Sequence, residues 1–106
     1  MAAYLVARIT VHDEAGFADY RDRVTPVIAA HGGRYVVRGG AMEALEGEAP
    51  PERLVIVEFP SMEAARVFYH SAEYAPVLHL RLASAASEVT LVEGLPPDSV
   101  PSPPTL

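Results

Sequence analysis

The chain has 106 residues, half of them apolar, enough for one small core and one domain. Its formal charge of −6 argues against a nucleic-acid or anionic-membrane partner. Cys and Lys are both absent, which excludes disulfides, thiolate nucleophiles, cysteine-ligated metals, Schiff bases and a phosphate-cradling lysine.

Ala3 to Val11 is rich in β-branched and aromatic residues and predicts a strand. Asp13 is placed to cap a following helix, with Glu14 in its first turn, where the helix dipole favours an acid. Phe17, Tyr20, Val24, Val27 and Ile28 then recur at helical spacing as far as His31. Pro26 is expected to kink or tighten the last turns, and Gly32-Gly33 to end them. Arg34 to Arg38 reads as a short strand broken by Gly39 and Gly40. Ala41 to Glu46 is a candidate continuation as a ribbon, and Gly47 to Pro51 a turn.

Arg53 to Phe59 is the clearest strand in the chain. Ser61 then caps a helix with Ala64, Ala65, Phe68 and Tyr69 on one face. After a break at Ser71 to Tyr74, a second helical run carries Tyr74, Val77, Leu78, Arg81, Leu82 and Ala85, with Pro76 tolerated in its first turn. Ser87 to Glu93 predicts the last strand and Gly94 its stop. Residues 95–106 hold five prolines, so a domain of residues 1–94 is expected to carry an extended or disordered tail. No apolar run approaches the ~20 residues of a membrane span, and the N-terminus lacks a signal-peptide build, so no membrane partner and a cytoplasmic location are expected.

The order β-α-β-β-α-β, with an extra helical piece before the last strand, predicts an α+β, ferredoxin-like split β-α-β fold. Its four-stranded antiparallel sheet would have helices on one face. Alternation sends Leu5, Ala7, Ile9 and Val11 one way and Tyr4, Val6, Arg8 and Thr10 the other; Val55, Val57 and Phe59 likewise oppose Leu54, Ile56 and Glu58. Both faces are largely apolar, whereas a sheet with one wet face alternates cleanly. A second copy of the chain is therefore expected to cover the face without helices, as a homodimer; the competing reading is a monomer with a mildly apolar face.

The stretches Tyr35 to Gly40, Leu45 to Gly47, Val57 to Ser61, Ser71 to Tyr74 and Leu80-Arg81, closing with Val92 to Gly94, resemble the small bacterial "domain of unknown function 1330" family over residues 2–94. That resemblance implies the dimeric α+β barrel, in which two ferredoxin-like sheets pack face to face. It also implies a superfamily of cofactor-free monooxygenases, dehydratases, muconolactone isomerases and haem-degrading enzymes, with pockets between sheet and helices. Where members usually carry Trp and Asp near the end of the second helix, this chain has Phe68 and His70.

Arg38, beside the side-chain-free Gly39 and Gly40, is placed to clamp a substrate carboxylate or enolate; its competing role is a salt bridge to Glu58 or Glu46. Glu58 lies in an apolar strand, where burial would make it a general acid or base, whereas pairing with Arg8, Arg38 or Arg81 would make it a strut. Arg81 shares a helical face with Tyr74, so it would complete an anion site or partner Glu58. Tyr69 and Tyr74 offer phenols nearby. Among the histidines, His70 is the candidate acid–base group at neutral pH, against a surface or capping role. No histidine or carboxylate cluster has metal-ligand spacing, and no glycine-rich nucleotide loop follows a strand, so neither metal nor cofactor is expected.

These residues point first to a cofactor-independent enzyme, an isomerase, cyclase or monooxygenase-like protein acting on a small enolisable molecule, in a setting such as secondary metabolism. Arg38, Glu58 and His70 would be catalytic, with Arg81, Tyr74, Tyr69 and Gly39 binding substrate. The alternative is a non-catalytic ligand-binding or structural dimer with Arg/Glu ion pairs in place of a site. A third reading, haem binding, would use His70 or His31 as axial ligand.

Overall fold

A computed structural model describes residues 1–96. The elements are β1 (Ala3–Val11), α1 (Glu14–Ala30), β2 (Arg34–Arg38), β3 (Arg53–Phe59), α2 (Met62–Tyr69), α3 (Tyr74–Ser84) and β4 (Ala85–Glu93). The four strands form one antiparallel sheet in the order β2-β3-β1-β4, the ferredoxin-like arrangement expected from the element order. Beyond Pro96, the proline-rich tail lies outside the described residues.

The central strands are the most apolar ones. β1 aligns Leu5 with Val57 of β3 and with Leu91 of β4, so one face of all three strands turns toward the helices. Asp13 caps α1 by accepting a 3.1 Å hydrogen bond from the Gly16 amide. The helix runs through Pro26 without a break to Ala30. It ends where Gly33 N–H donates to the Ile28 carbonyl and Gly32 N–H to Ala29, with Gly32 at φ +80°. A Cβ at Gly33 would stand 2.7 Å from the Phe59 ring, so the chain can only turn this tightly against the core without a side chain.

Two sequence expectations shift. The ribbon over Ala41 to Glu46 does not form; these residues lie in the loop between β2 and β3. The last ladder contact of β2 is Gly39 N–H to the Leu54 carbonyl, and at Gly39 the backbone turns away with φ +70°. β4 begins at Ala85 rather than Ser87, because Ala85 already pairs with Val11.

The core between helices and sheet has two parts. Val24, Ile28, Val57, Phe59, Ala65, Phe68, Tyr74 and Val77 make the larger, in which Phe68 joins Phe59 and Tyr74 at ring separations of 5.2 and 4.6 Å. Ala7, Ile9, Phe17 and Ala85 make the smaller. On the opposite side of the sheet, Val6, Val37, Leu54 and Ile56 lie among one another, with no helix over them among the described residues.

Candidate functional site

A cleft of about 660 Å³ opens between the inner face of the sheet and the helices. Its floor is apolar, built from alternate residues of the central strands, among them Leu5, Ala7, Val55 and Val57. Its wall is aromatic. Tyr20, Tyr35, Tyr69 and Tyr74, four of the five tyrosines of the chain, line it.

Arg81 is the deepest charge. One turn before the end of α3, it is only 4% exposed and shares its helical face with Tyr74 and Val77. Its Nη1 donates to Ser87 Oγ on β4, and its Nη2 to Tyr74 Oη at 3.5 Å. The Tyr74 and Tyr20 hydroxyls share a 2.9 Å hydrogen bond, and the guanidinium carbon lies 5.8 Å from the centre of the Tyr20 ring. Burial works to lower the Arg81 pKa, but the surrounding phenol oxygens of Tyr74 and Tyr20 outweigh it, so the group stays a cation. Among the described residues no carboxylate pairs with it. Both terminal nitrogens of the fork are thus engaged by neutral hydroxyls, and no nitrogen of the group is both buried and without a partner among the described residues.

Burial, reinforced by Tyr74, pushes the Tyr20 phenol far above its ordinary value of 10.0, so Tyr20 is a proton donor and not a base. A group whose folded pKa is raised contributes stability that is complete below its unfolded pKa and declines as pH rises past it. The melting temperature is therefore expected to fall above about pH 10, and to fall less steeply in Tyr20→Phe. Calorimetric scans of both proteins from pH 8 to pH 11.5 check this; parallel curves would disprove it.

Arg38 occupies the more exposed rim. A bulge in β2 sets Tyr35 opposite Val57 but Val37 opposite Ile56, and so turns Arg38, opposite Val55, onto the same inner face as Tyr35. Its guanidinium lies 4.9 Å over the Tyr35 ring, and both line the cleft with Gly39. Neither expected salt bridge of Arg38, to Glu58 or to Glu46, forms among the described residues. Arg21, Glu52 and Arg53 also border the rim, with Arg53 held by Glu14 at 3.1 Å.

Of the residues singled out in the sequence, the structure brings Arg38, Gly39, Tyr69, Tyr74 and Arg81 to this one cleft. It does not bring Glu58 or His70 there. Glu58 alternates with Val57 and Phe59 and so faces the other side of the sheet, where it accepts from Arg34 Nε at 2.8 Å and Tyr4 Oη at 2.9 Å. Those two donors, Arg34 first, hold its carboxyl below the usual range, the reverse of the shift a general base at neutral pH requires. Arg34, rather than Arg8, Arg38 or Arg81, is thus its partner.

His70 is exposed at the C-cap of α2, beyond the buried Ala65 and Phe68, with its ring edge-on to Tyr69. His31 caps α1; its Nδ1–H donates to the Val27 carbonyl at 2.9 Å and its Nε2 lies 3.3 Å from Glu73. Neither histidine lines the cleft, so neither is placed to ligate a haem iron within it. Among the described residues no group of three His, Cys, Asp or Glu side chains could hold a metal ion.

Tyr20, Tyr35 and Ser87 were not singled out as site residues from the sequence. Helical spacing places Tyr20 in the apolar stripe of α1, where its hydroxyl needs a partner. Ser87 was legible by alternation with Ala85 and Val89, but only once Arg81 was known to reach β4.

No curated protein matches the chain in sequence. Among solved structures, a protein of unknown function from Rhodopseudomonas palustris is similar with a TM-score of 0.75 and 19% identity, over 91% of this chain and 84% of that one. SnoaB, a cofactor-independent oxygenase from Streptomyces nogalater, is similar with a TM-score of 0.64 and 19% identity, over 95% and 98%. A candidate antibiotic biosynthesis monooxygenase from Nitrosomonas europaea gives 0.55 and 10%, over 92% and 94%. At these identities the likeness is one of fold. The profile of the domain of unknown function DUF1330 matches residues 2–95, and the chain belongs to that family.

Proposed function

We propose that the protein is a cofactor-independent enzyme acting on a small, partly apolar, enolisable molecule, and that Arg81 and Tyr74 hold the oxyanion formed when it ionises. The observation that carries this is the buried Arg81, a cation without a carboxylate partner among the described residues, opening on a cleft of ligand size. A pre-formed guanidinium and a phenol in a low-dielectric site stabilise an enolate far better than water does. The Tyr20–Tyr74 hydrogen bond fixes the second donor.

The interior offers no carboxylate or imidazole base among its lining residues; Glu52 lies at the rim. The proton therefore passes to water at the mouth of the cleft, from a substrate whose own acidity Arg81 raises by holding the enolate. Isomerisation, cyclisation and oxygenation all pass through such an anion, and the fold shared with SnoaB supports this class. Arg38, Gly39 and Tyr69 complete the binding wall; Glu58 and His70 take no part. In the same proposal a second copy of the chain covers the outer sheet face, and the protein works in the cytoplasm. In keeping with this, no helix among the described residues is long and apolar enough to cross a membrane.

The non-catalytic alternative needs Arg/Glu pairs in place of the site. The pairs present, Arg34–Glu58 and Arg53–Glu14, leave both Arg81 and Arg38 unused. The experiment is α-proton exchange of 2-tetralone in D₂O at neutral pD, followed by NMR. The protein is expected to accelerate exchange, and Arg81→Met to abolish the acceleration. Saturable binding without any acceleration would replace the enzyme by a carrier.

A further inference from the structure

We infer that the cleft takes a dianion, an apolar body about the size of two fused rings with an acidic group at each end, one held by Arg81 and the other by Arg38; this rests on the assignment of Arg81 as an anion-binding group. The charge distribution is the first support. The whole chain carries −6, yet the residues lining this cleft include Arg21, Arg38, Arg53 and Arg81 against the single carboxylate of Glu52. Arg53 is satisfied by Glu14, while Arg21, Arg38 and Arg81 have no acidic partner among the described residues; of these three, Arg81 is buried and Arg38 is stacked on a tyrosine. A cation-lined recess in an acidic protein concentrates anions against the general field of the molecule.

The second support is position. Arg81 is tied to Ser87 on β4, and Arg38 projects from β2, so the two anchors stand over opposite edges of the sheet. Three inter-strand spacings separate those edges, roughly 14 Å. Both side chains point inward, so their heads are closer than that. The row running across the sheet from Arg38 is Val55, Ala7 and Val89, all apolar, and Ser87 lies one inward-facing position along β4 from its end. A flat hydrocarbon would meet a matching floor there.

The third support is the bulge. With regular alternation Arg38 would share the face of Arg34 and Val36; the extra residue turns it to the face of Tyr35, whose ring it covers at 4.9 Å. An arginine stacked on a tyrosine keeps its N–H edge in one plane, the geometry that receives a carboxylate with two hydrogen bonds.

Titration calorimetry of the full chain at low salt with 2-naphthoate and with naphthalene-2,6-dicarboxylate tests this. The dianion is expected to bind about tenfold more tightly than the monoanion, equivalent to about 1.4 kcal/mol. In Arg38→Met that ratio is expected to approach one, and in Arg66→Met, which removes the same charge from an exposed position of α2 away from the cleft, to persist. If naphthoate binds and the dicarboxylate binds no tighter, the two-ended inference is overturned while the Arg81 assignment stands. A tenfold ratio that survives Arg38→Met, or that Arg66→Met removes equally, overturns the role of Arg38. Failure of both ligands to bind the unaltered protein overturns the inference and the Arg81 assignment together.

Discussion

Arg81→Met is expected to weaken binding of an enolate or carboxylate probe at least about 100-fold, while leaving the melting temperature unchanged or higher. The two halves of this result come from one observation. Arg81 is buried and hydrogen-bonded to Ser87 and Tyr74, but among the described residues it is neutralised by no acid. A desolvated cation that meets an anionic ligand contributes several charge-assisted hydrogen bonds, each worth about 1.5–3 kcal/mol. In the empty protein the same desolvation is a cost. Methionine has similar volume and suits an apolar wall. The Tyr74 hydroxyl left behind still has Tyr20 as a partner, and Ser87, which loses its arginine, is only half-buried. An arginine acting as a structural strut would behave in the opposite way, since breaking a buried pair costs about 3–5 kcal/mol. Calorimetric melting and ligand titration on one pair of samples decide between them. A large loss of melting temperature with binding retained would show that Arg81 holds the fold and not a ligand.

Arg81→Lys refines the same test. Lysine keeps the charge but loses the planar fork that reaches Ser87 and Tyr74 together. A probe that needs only charge would keep its affinity; one held in the plane of the guanidinium would lose much of it.

Strand alternation and helical spacing made the framework readable, because the apolar pattern in this chain is set by its own local periods. Leu5, Ala7 and Ile9 opposite Val57 and Val55 follow directly from period two, and the ferredoxin-like order follows from the succession of elements. The same rule, applied fully, also places Glu58 outside. Its neighbours Val57 and Phe59 are buried against the helices, so the residue between them must face away. Glu58 was misread because its chemistry, a carboxylate in an apolar strand, was weighed ahead of its parity. Arg38 shows the converse. Plain alternation puts it on the face of Arg34, and only the bulge, which no local composition in Tyr35 to Arg38 announces, returns it to the cleft. Tyr20 and Ser87 were hidden for a third reason, since they become functional only through Arg81 and Tyr74, which are distant in sequence. Single residues on regular elements are legible; constellations formed by tertiary approach are not.

Ile56→Asp is expected to convert the protein from a dimer of twice 11.4 kDa to a monomer at about 10 µM. Ile56 lies at the centre of the outer sheet face, directly across from Val6 on β1 and Val37 on β2. Leu54 extends this patch, and the exposed Val92 flanks it through Tyr4. The rim is polar and already satisfied within one chain, through Arg34, Glu58 and Tyr4. Such a face, apolar in the middle and hydrogen-bonded at its border, has the anatomy of an interface core and rim. Each of its larger apolar side chains contributes about 1.5–3 kcal/mol when fully covered. Two-fold symmetry makes a central aspartate doubly unfavourable, because each carboxylate loses its water and faces the other copy. Glu58→Gln removes charge only from the rim and is expected to leave the dimer intact, as exposed ion pairs contribute little. Sedimentation equilibrium on the three proteins separates the possibilities. A monomeric unaltered chain would end the dimer reading. An Ile56→Asp protein that stays dimeric would move the interface elsewhere, since no dimer built on this face can hold two carboxylates at its centre. The cleft residues, by contrast, lie on the other side of β3, so the monomeric variant is expected to keep its affinity for naphthoate. If it does, covering the outer face and holding the ligand are separate tasks of the same sheet, one assigned to each parity of its residues.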